Sequence, residues 1–339
     1  MAKLLTIQQK IVPEIFPLIL IRYQILRTVN FLQPIGRRAL AEQLRVQERK
    51  IRNEVDFLKE QQLLSSTLAG MEITPTGLIL LEDMADYIRE IQGLSILEHR
   101  ITAAFPVKEV LIVPGDVDQD ETVKKDLARL TADYLDRHLN DGSILAVTGG
   151  TTLAEVASVL AASATKREIT IVPARGGLGE EVEIQANAVA ANIAKGLGAN
   201  YRLLHVPDDL GEDSIQSIIK EPKIKEILEL LRQADMVLHG VGLAEEMARR
   251  RSMAPEQIGD LVKRGAVGEA FGYYFAVDGS VVHSTSSVGL QLAELKMVNQ
   301  VIAVAGGRSK AAAVHAVLSN SPRDTLIIDE GVATGLLEM

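Results

Sequence analysis

The chain has no cysteine and no tryptophan, and aromatic residues of all kinds make up only 4% of it. Without thiols it can build neither a disulfide framework nor a thiolate metal centre. Its six histidines, His99, His138, His205, His239, His283 and His315, are scattered, and no pair stands at helix-face ligand spacing. Each reads as a structural or surface residue, and no metal or cofactor is expected. Long hydrophobic runs are missing too. The most membrane-like stretch, Ile11 to Ile21, is shorter than the ~20 residues a bilayer demands and contains Pro13, Glu14 and Pro17. No small-residue cleavage site follows it, so a cytoplasmic location is expected, with no membrane partner.

Positive charge is also in short supply. The net charge of −9 argues, taken whole, against a nucleic-acid partner. The balance inverts between Arg22 and Lys59. There Arg22, Arg27, Arg37, Arg38, Arg45, Arg49, Lys50, Arg52 and Lys59 face only Glu42, Glu48, Glu54 and Asp56. A basic segment in an acidic chain is the electrostatic footprint of a DNA-binding domain.

Pro34 to Leu58 reads as two short helices joined by a tight turn, the layout of a helix-turn-helix. Ile21, Ile25, Leu26 and Val29 share one face of the preceding helix, with Arg22 and Arg27 off it. Leu40 and Leu44 give the next helix its buried side, and Ile51, Val55 and Leu58 the third. Arg49, Lys50, Arg52 and Asn53 then point the other way, and these residue types pair with base edges. Arg37 and Arg38 suit backbone phosphate. Gln47 is a poor N-cap. Gly70, within Ser65 to Ile73, suggests a β-hairpin wing. Thr74-Pro75 opens a further helix expected to reach about Gln92, with a boundary at Gly93-Leu94-Ser95. Solvated charges on three packed amphipathic helices are the plainer alternative.

From about Val107 short apolar runs alternate with amphipathic stretches: Glu109–Val113, Ser143–Thr148, Glu168–Pro173, Tyr201–Val206, Met236–Gly240, Val301–Ala305 and Thr325–Asp329. That pattern predicts a mainly parallel, doubly wound α/β sheet. Ala276 to Val282 interrupts it as a hairpin with an Asp278-Gly279 turn.

Two predicted strand-to-helix junctions carry Gly-Gly: Val147-Thr148-Gly149-Gly150-Thr151-Thr152, and Val304-Ala305-Gly306-Gly307-Arg308-Ser309-Lys310. Glycines let the backbone approach an anion, and a helix start offers free N–H groups, so both are expected to hold phosphate. Arg175, after the strand ending at Pro173, and the run Arg249-Arg250-Arg251 add cations for a second phosphate. Glu269 is a candidate base, but it has no acid partner, and no nucleophile elbow or metal set appears. The crevice is equipped to bind rather than to react.

Together with Val172 to Gly179 and Glu269-Ala270-Phe271-Gly272-Tyr273-Tyr274-Phe275, these motifs resemble the SorC-type (DeoR-related) sugar-responsive repressors over nearly the whole chain. The resemblance implies a winged helix-turn-helix domain over 1–92. It also implies an effector and oligomerisation domain over 93–339, resembling sugar-phosphate isomerases. It implies repression of glycolytic genes, relieved by fructose-1,6-bisphosphate. By the family's motif the effector contacts are Gly149, Gly150, Thr151, Thr152, Arg175, Gln185, Arg250, Arg251, Glu269 and Lys310, of which Gln185 follows from the resemblance alone. The expected partners are operator double-stranded DNA, a phosphorylated sugar and further copies of the chain, as dimer or tetramer. Two readings stand beside it. One is a sugar-phosphate isomerase or deaminase with an accessory helical domain. The other is a sugar-phosphate sensor that binds a protein.

Overall fold

The computed structural model describes residues 2–160, 166–177, 181–207, 211–320 and 323–339. Leu178 and Gly179, part of one quoted motif, lie outside them. The chain divides into two compact units, Met1–Ser95 and Ile96–Met339.

In the first unit α1 (Ala2–Ile11) and α2 (Ile15–Leu32) precede α3 (Arg37–Leu44) and α4 (Glu48–Glu60). The strands β1 (Leu64–Ser66) and β2 (Met71–Ile73) form the antiparallel wing, followed by α5 (Pro75–Asp83) and α6 (Ala85–Ile91). Helix α2 is long and apolar enough, by length and composition, to cross a membrane. Its Ile21, Ile25, Leu26 and Val29 instead pack with Leu40, Ile51, Val55 and Leu58 in the unit's core. Arg27, expected off the buried face, is itself buried, with its guanidinium 5.5 Å from the Phe31 ring centroid. It adds nothing to the outer positive face. Thr74 caps α5, its hydroxyl accepting the Gly77 N–H at 3.0 Å. The helix expected to run on to about Gln92 is interrupted at Met84, whose backbone keeps helical angles. Neither glycine nor proline marks that break.

The second unit follows α7 (Leu94–Ala104), which spans the division. Its core is a seven-stranded parallel sheet of β3 (Val107–Val113), β4 (Ile144–Val147), β5 (Thr170–Pro173), β6 (Asn200–Tyr201), β7 (Met236–Gly240), β12 (Gln300–Ala305) and β13 (Arg323–Asp329). The order is β3-β13-β12-β7-β4-β5-β6. Side chains alternate along each strand. Leu145, Val147, Leu238, Ile302, Val304 and Ile327 join a cluster with α8 (Val123–His138), α9 (Thr151–Val159) and α10 (Ala186–Leu197). Helices α11 (Glu212–Ile218) and α12 (Pro222–Arg232) follow β6, and α16 (Glu330–Leu337) ends the chain. Helices α12 and α16 meet the sheet without joining that cluster, so both faces are covered.

The strand expected over Tyr201–Val206 pairs only at Asn200 and Tyr201. Beyond them the Asn187 side chain takes over, bonding the Leu204 N–H at 2.9 Å and its carbonyl at 3.1 Å. The expected 276–282 hairpin belongs to a second sheet, order β11-β10-β9-β8. It comprises β8 (Gly242–Leu243), β9 (Ala266–Ala270), β10 (Tyr273–Ala276) and β11 (Val281–Ser284). It packs with α13 (Ala244–Arg250), α14 (Pro255–Lys263) and α15 (Ala311–Asn320).

Candidate functional site

In the first unit α3 and α4 are joined through Arg45, which takes the left-handed conformation (φ 52°). Helix α4 buries Ile51, Val55 and Leu58 and leaves Arg49, Lys50, Arg52 and Asn53 exposed. Gln47 makes no capping bond with its side chain. Arg52 meets Glu48 at 3.4 Å, Arg37 meets Asp56 at 2.9 Å and Arg38 meets Glu42 at 3.5 Å. Such exposed pairs are worth about 0–1 kcal/mol, little enough for a DNA phosphate to displace. Arg22 is spent inside the unit. It bonds Glu54 at 2.8 Å and lies 3.6 Å from the Phe57 ring centroid.

In the second unit, β4 and β7 are neighbours whose chains run on to opposite sides of the sheet, β4 to β5 and β7 toward β12. This is the switch point at which open α/β sheets bind ligands. A cavity of about 700 Å³ opens there. All ten residues assigned to the effector by resemblance line it: Gly149, Gly150, Thr151, Thr152, Arg175, Gln185, Arg250, Arg251, Glu269 and Lys310.

They are not equally available. Gly150 (φ 122°) adopts a conformation open to glycine, and a Cβ there would meet nothing within 4 Å. Its N–H bonds the Ile184 carbonyl and its carbonyl accepts from Ala154. The N–H groups of Thr151, Thr152 and Leu153 find no acceptor among the described residues. Helix α9 thus presents three open donors and the positive end of its dipole to the cavity.

The second Gly-Gly turn differs from expectation. The Gly307 N–H donates to Asp329 at 2.7 Å, Arg308 N–H to Asp116 at 3.1 Å and Ser309 N–H to Asp118 at 2.7 Å. Those amides already hold carboxylates, so only Lys310 serves the cavity from this turn. Asp329 is fully buried and also accepts from Val117 and Val332, both at 2.8 Å; burial raises its pKa.

Arg251, expected to touch the effector, is bound to Glu269 at 2.8 Å and to the Tyr274 hydroxyl at 2.9 Å. Burial alone would weaken its hold on the proton, but Glu269, then Tyr274, raise it. Glu269 Oε1 takes Arg251 and the Gly272 N–H (2.6 Å), which leaves Oε2 for a ligand hydroxyl. Arg175 is buried, with Nη1 4.0 Å from Glu269 and Nε donating to the Gly176 carbonyl at 3.4 Å. Arg250 is exposed and meets no carboxylate among the described residues. Among the described residues the lining carboxylates are Glu181, Glu246 and Glu269, and no histidine lines the cavity.

His239, read from the sequence as structural or surface, is fully buried on β7. Its ring lies tilted against Phe271, centroids 4.7 Å apart, and accepts the Arg323 Nε–H at 3.0 Å. Burial, then Arg323, lowers its pKa to about 3. The apolar run around it gave no sign of a buried partner so far away in sequence.

Residues 18–88 match the CggR N-terminal DNA binding domain family, and residues 89–338 match a sugar-binding domain family. The chain is 45% identical to the central glycolytic genes regulator of Priestia megaterium over 99% of both chains. It is 41% identical to that of Bacillus subtilis, again over 99% of both. A crystal structure of a SorC family transcriptional regulator from Enterococcus faecalis superposes with a TM-score of 0.66 at 39% identity, covering 71% of this chain and 99% of that one. The chain therefore belongs to the central glycolytic genes regulators of the SorC family, transcriptional regulators that join a DNA-binding to a sugar-binding domain, and it is not an enzyme.

Proposed function

We propose that the chain is a cytoplasmic repressor of glycolytic genes whose hold on operator DNA is released by fructose-1,6-bisphosphate. The observation that carries the choice of a bisphosphate is the placing of anion-binding groups in one cavity. The open amides of Thr151, Thr152 and Leu153 with Lys310 and the nearby Arg250 form one set, and Arg175, beside Glu269, supplies a further cation in the same cavity. Glu269 Oε2 supplies an acceptor for a sugar hydroxyl. The outward Arg49, Lys50, Arg52 and Asn53 of α4 read bases, and Arg37 and Arg38 hold phosphate. A homo-oligomer, dimer or tetramer, matches an operator of two half-sites. Release follows by linkage if the effector prefers the arrangement that does not bind DNA.

Operator binding measured by gel shift against a panel of sugar mono- and bisphosphates tests this reading. Fructose-1,6-bisphosphate is expected to release the DNA. Thr152→Val or Lys310→Ala should blunt release while leaving DNA affinity without effector intact. Normal release by both variants refutes the assigned site, and release by monophosphates alone refutes the effector. Arg49→Ala with Arg52→Ala should weaken operator binding and flatten its salt dependence.

A further inference from the structure

We propose that Lys124, on α8, is a specificity-determining residue of the effector site: its ammonium, behind Thr151 and Thr152, makes that end of the cavity select a phosphate dianion. The proposal rests on the effector reading above and names a residue outside the set the family resemblance supplies.

A second, smaller chamber of about 190 Å³ adjoins the main cavity. The two share Thr151, Thr152, Glu246 and Lys310. The far wall of the chamber comes from the β3–α8 loop and α8, including Asp118, Lys124 and Leu127. A phosphate seated on the α9 amides would have Lys310 beside it and Lys124 in the adjoining chamber.

Lys124 and Lys310 line this chamber together with two carboxylates, Asp118 and Glu246. Lys124 is half-buried and meets no carboxylate within ion-pair distance among the described residues. Asp118 is committed to the second turn, accepting the Ser309 N–H at 2.7 Å and its hydroxyl at 3.1 Å. Glu246 is the other carboxylate on the wall. The proton affinity of Lys310 reflects this crowding. Burial lowers it most, Glu246 offsets part, Lys124 and then Arg250 lower it further, and Asp118 raises it least. Two ammonium groups that repel each other are unfavourable when the site is empty and favourable when a doubly charged anion enters. Three amide donors alone would serve a monoanion or a dianion; the second lysine is what separates them.

A phosphate monoester carries its second charge above a pKa of about 6. The test is titration of full-length protein with fructose-1,6-bisphosphate at pH 7.5 and pH 5.5, in wild type, Lys124→Gln, Lys124→Arg and Lys310→Ala. The protein groups facing the ligand here are Asp118, Glu246, Lys310 and Arg250. Wild type should bind more weakly at the lower pH. Lys124→Gln should lose about tenfold in affinity at pH 7.5 and much less at pH 5.5, flattening the profile, and Lys124→Arg should restore it. Lys124→Gln with wild-type affinity at pH 7.5, or with an equal loss at both pH values, overturns the proposal. If Lys310→Ala still loses binding in that case, the effector reading stands without Lys124. If wild type does not bind the bisphosphate, both fall.

Discussion

The turns after β4 and β12 share a grammar: a buried apolar strand, two glycines, then polar residues opening a helical segment. They end in opposite states. The first leaves three N–H groups open over the cavity. The second has its N–H groups filled by Asp116, Asp118 and Asp329. A Gly-Gly strand end therefore predicts an anion but not whose anion. Where a carboxylate of the same chain arrives first, the turn becomes scaffold, and only its Lys310 lines the main cavity.

The difference can be broken most severely at Asp329. Replacing it with alanine leaves three N–H groups without acceptors, those of Val117, Gly307 and Val332. Asp329→Ala is expected to cost about 3 kcal/mol or more of unfolding free energy. Denaturant unfolding measures it, and a loss below ~1 kcal/mol would show that the second turn does not depend on its internal anion.

Strand β7 lies between the strands carrying the two turns, and His239 offers a second lever. Its Nδ1–H bonds the Gly240 carbonyl and its Nε2 accepts from Arg323, so the folded state holds it neutral. Its pKa falls from 6.5 to about 3, so its contribution is complete above pH 6.5 and is lost as pH falls below that value. The slope is at most about 1.4 kcal/mol per pH unit. Thermal unfolding of wild type between pH 7.5 and pH 4.5 should fall more steeply than that of His239→Gln; parallel curves would contradict the assignment.

The smallest effects sharpen the comparison. Gly150 and Gly307 both have positive φ, 122° and 100°. An alanine at either position is strained by about 1–3 kcal/mol. At Gly307 the new methyl also lies 2.4 Å from Asp118 Oδ1, whereas at Gly150 it meets nothing. Gly307→Ala should therefore destabilise more than Gly150→Ala. Gly150→Ala should instead weaken effector binding, because its methyl enters the space before the open amides. Equal unfolding midpoints for the two would erase the distinction.

Much of this was legible in the sequence because it is local. The apolar runs marked all seven parallel strands, and the Gly-Gly pairs marked where two of them end. What stayed hidden depends on partners far apart in the chain. Asp116 and Asp118 reach the second turn across about 190 residues, 192 for Arg308 and 191 for Ser309. Arg27 looked solvated by helical period, yet it lies buried near Phe31. Arg251 looked like a ligand group and is largely consumed by Glu269. The run Tyr201–Val206 looked like a full strand, and beyond its short ladder the Asn187 side chain holds Leu204. Residue type indicates what a side chain can bind; only the fold determines whether that capacity is already used.

The wing adds one more consequence. Ile35, just before α3, pairs with Met71 of β2 through two backbone bonds, and Gln33 accepts the Ile73 N–H at 2.8 Å. A Cβ on Gly70 would lie within 2.9 Å of the Ile35 backbone, so the two segments are in close contact. The segment that opens α3 and the wing are thus tied to each other, so a change that loosens one is expected to loosen the other.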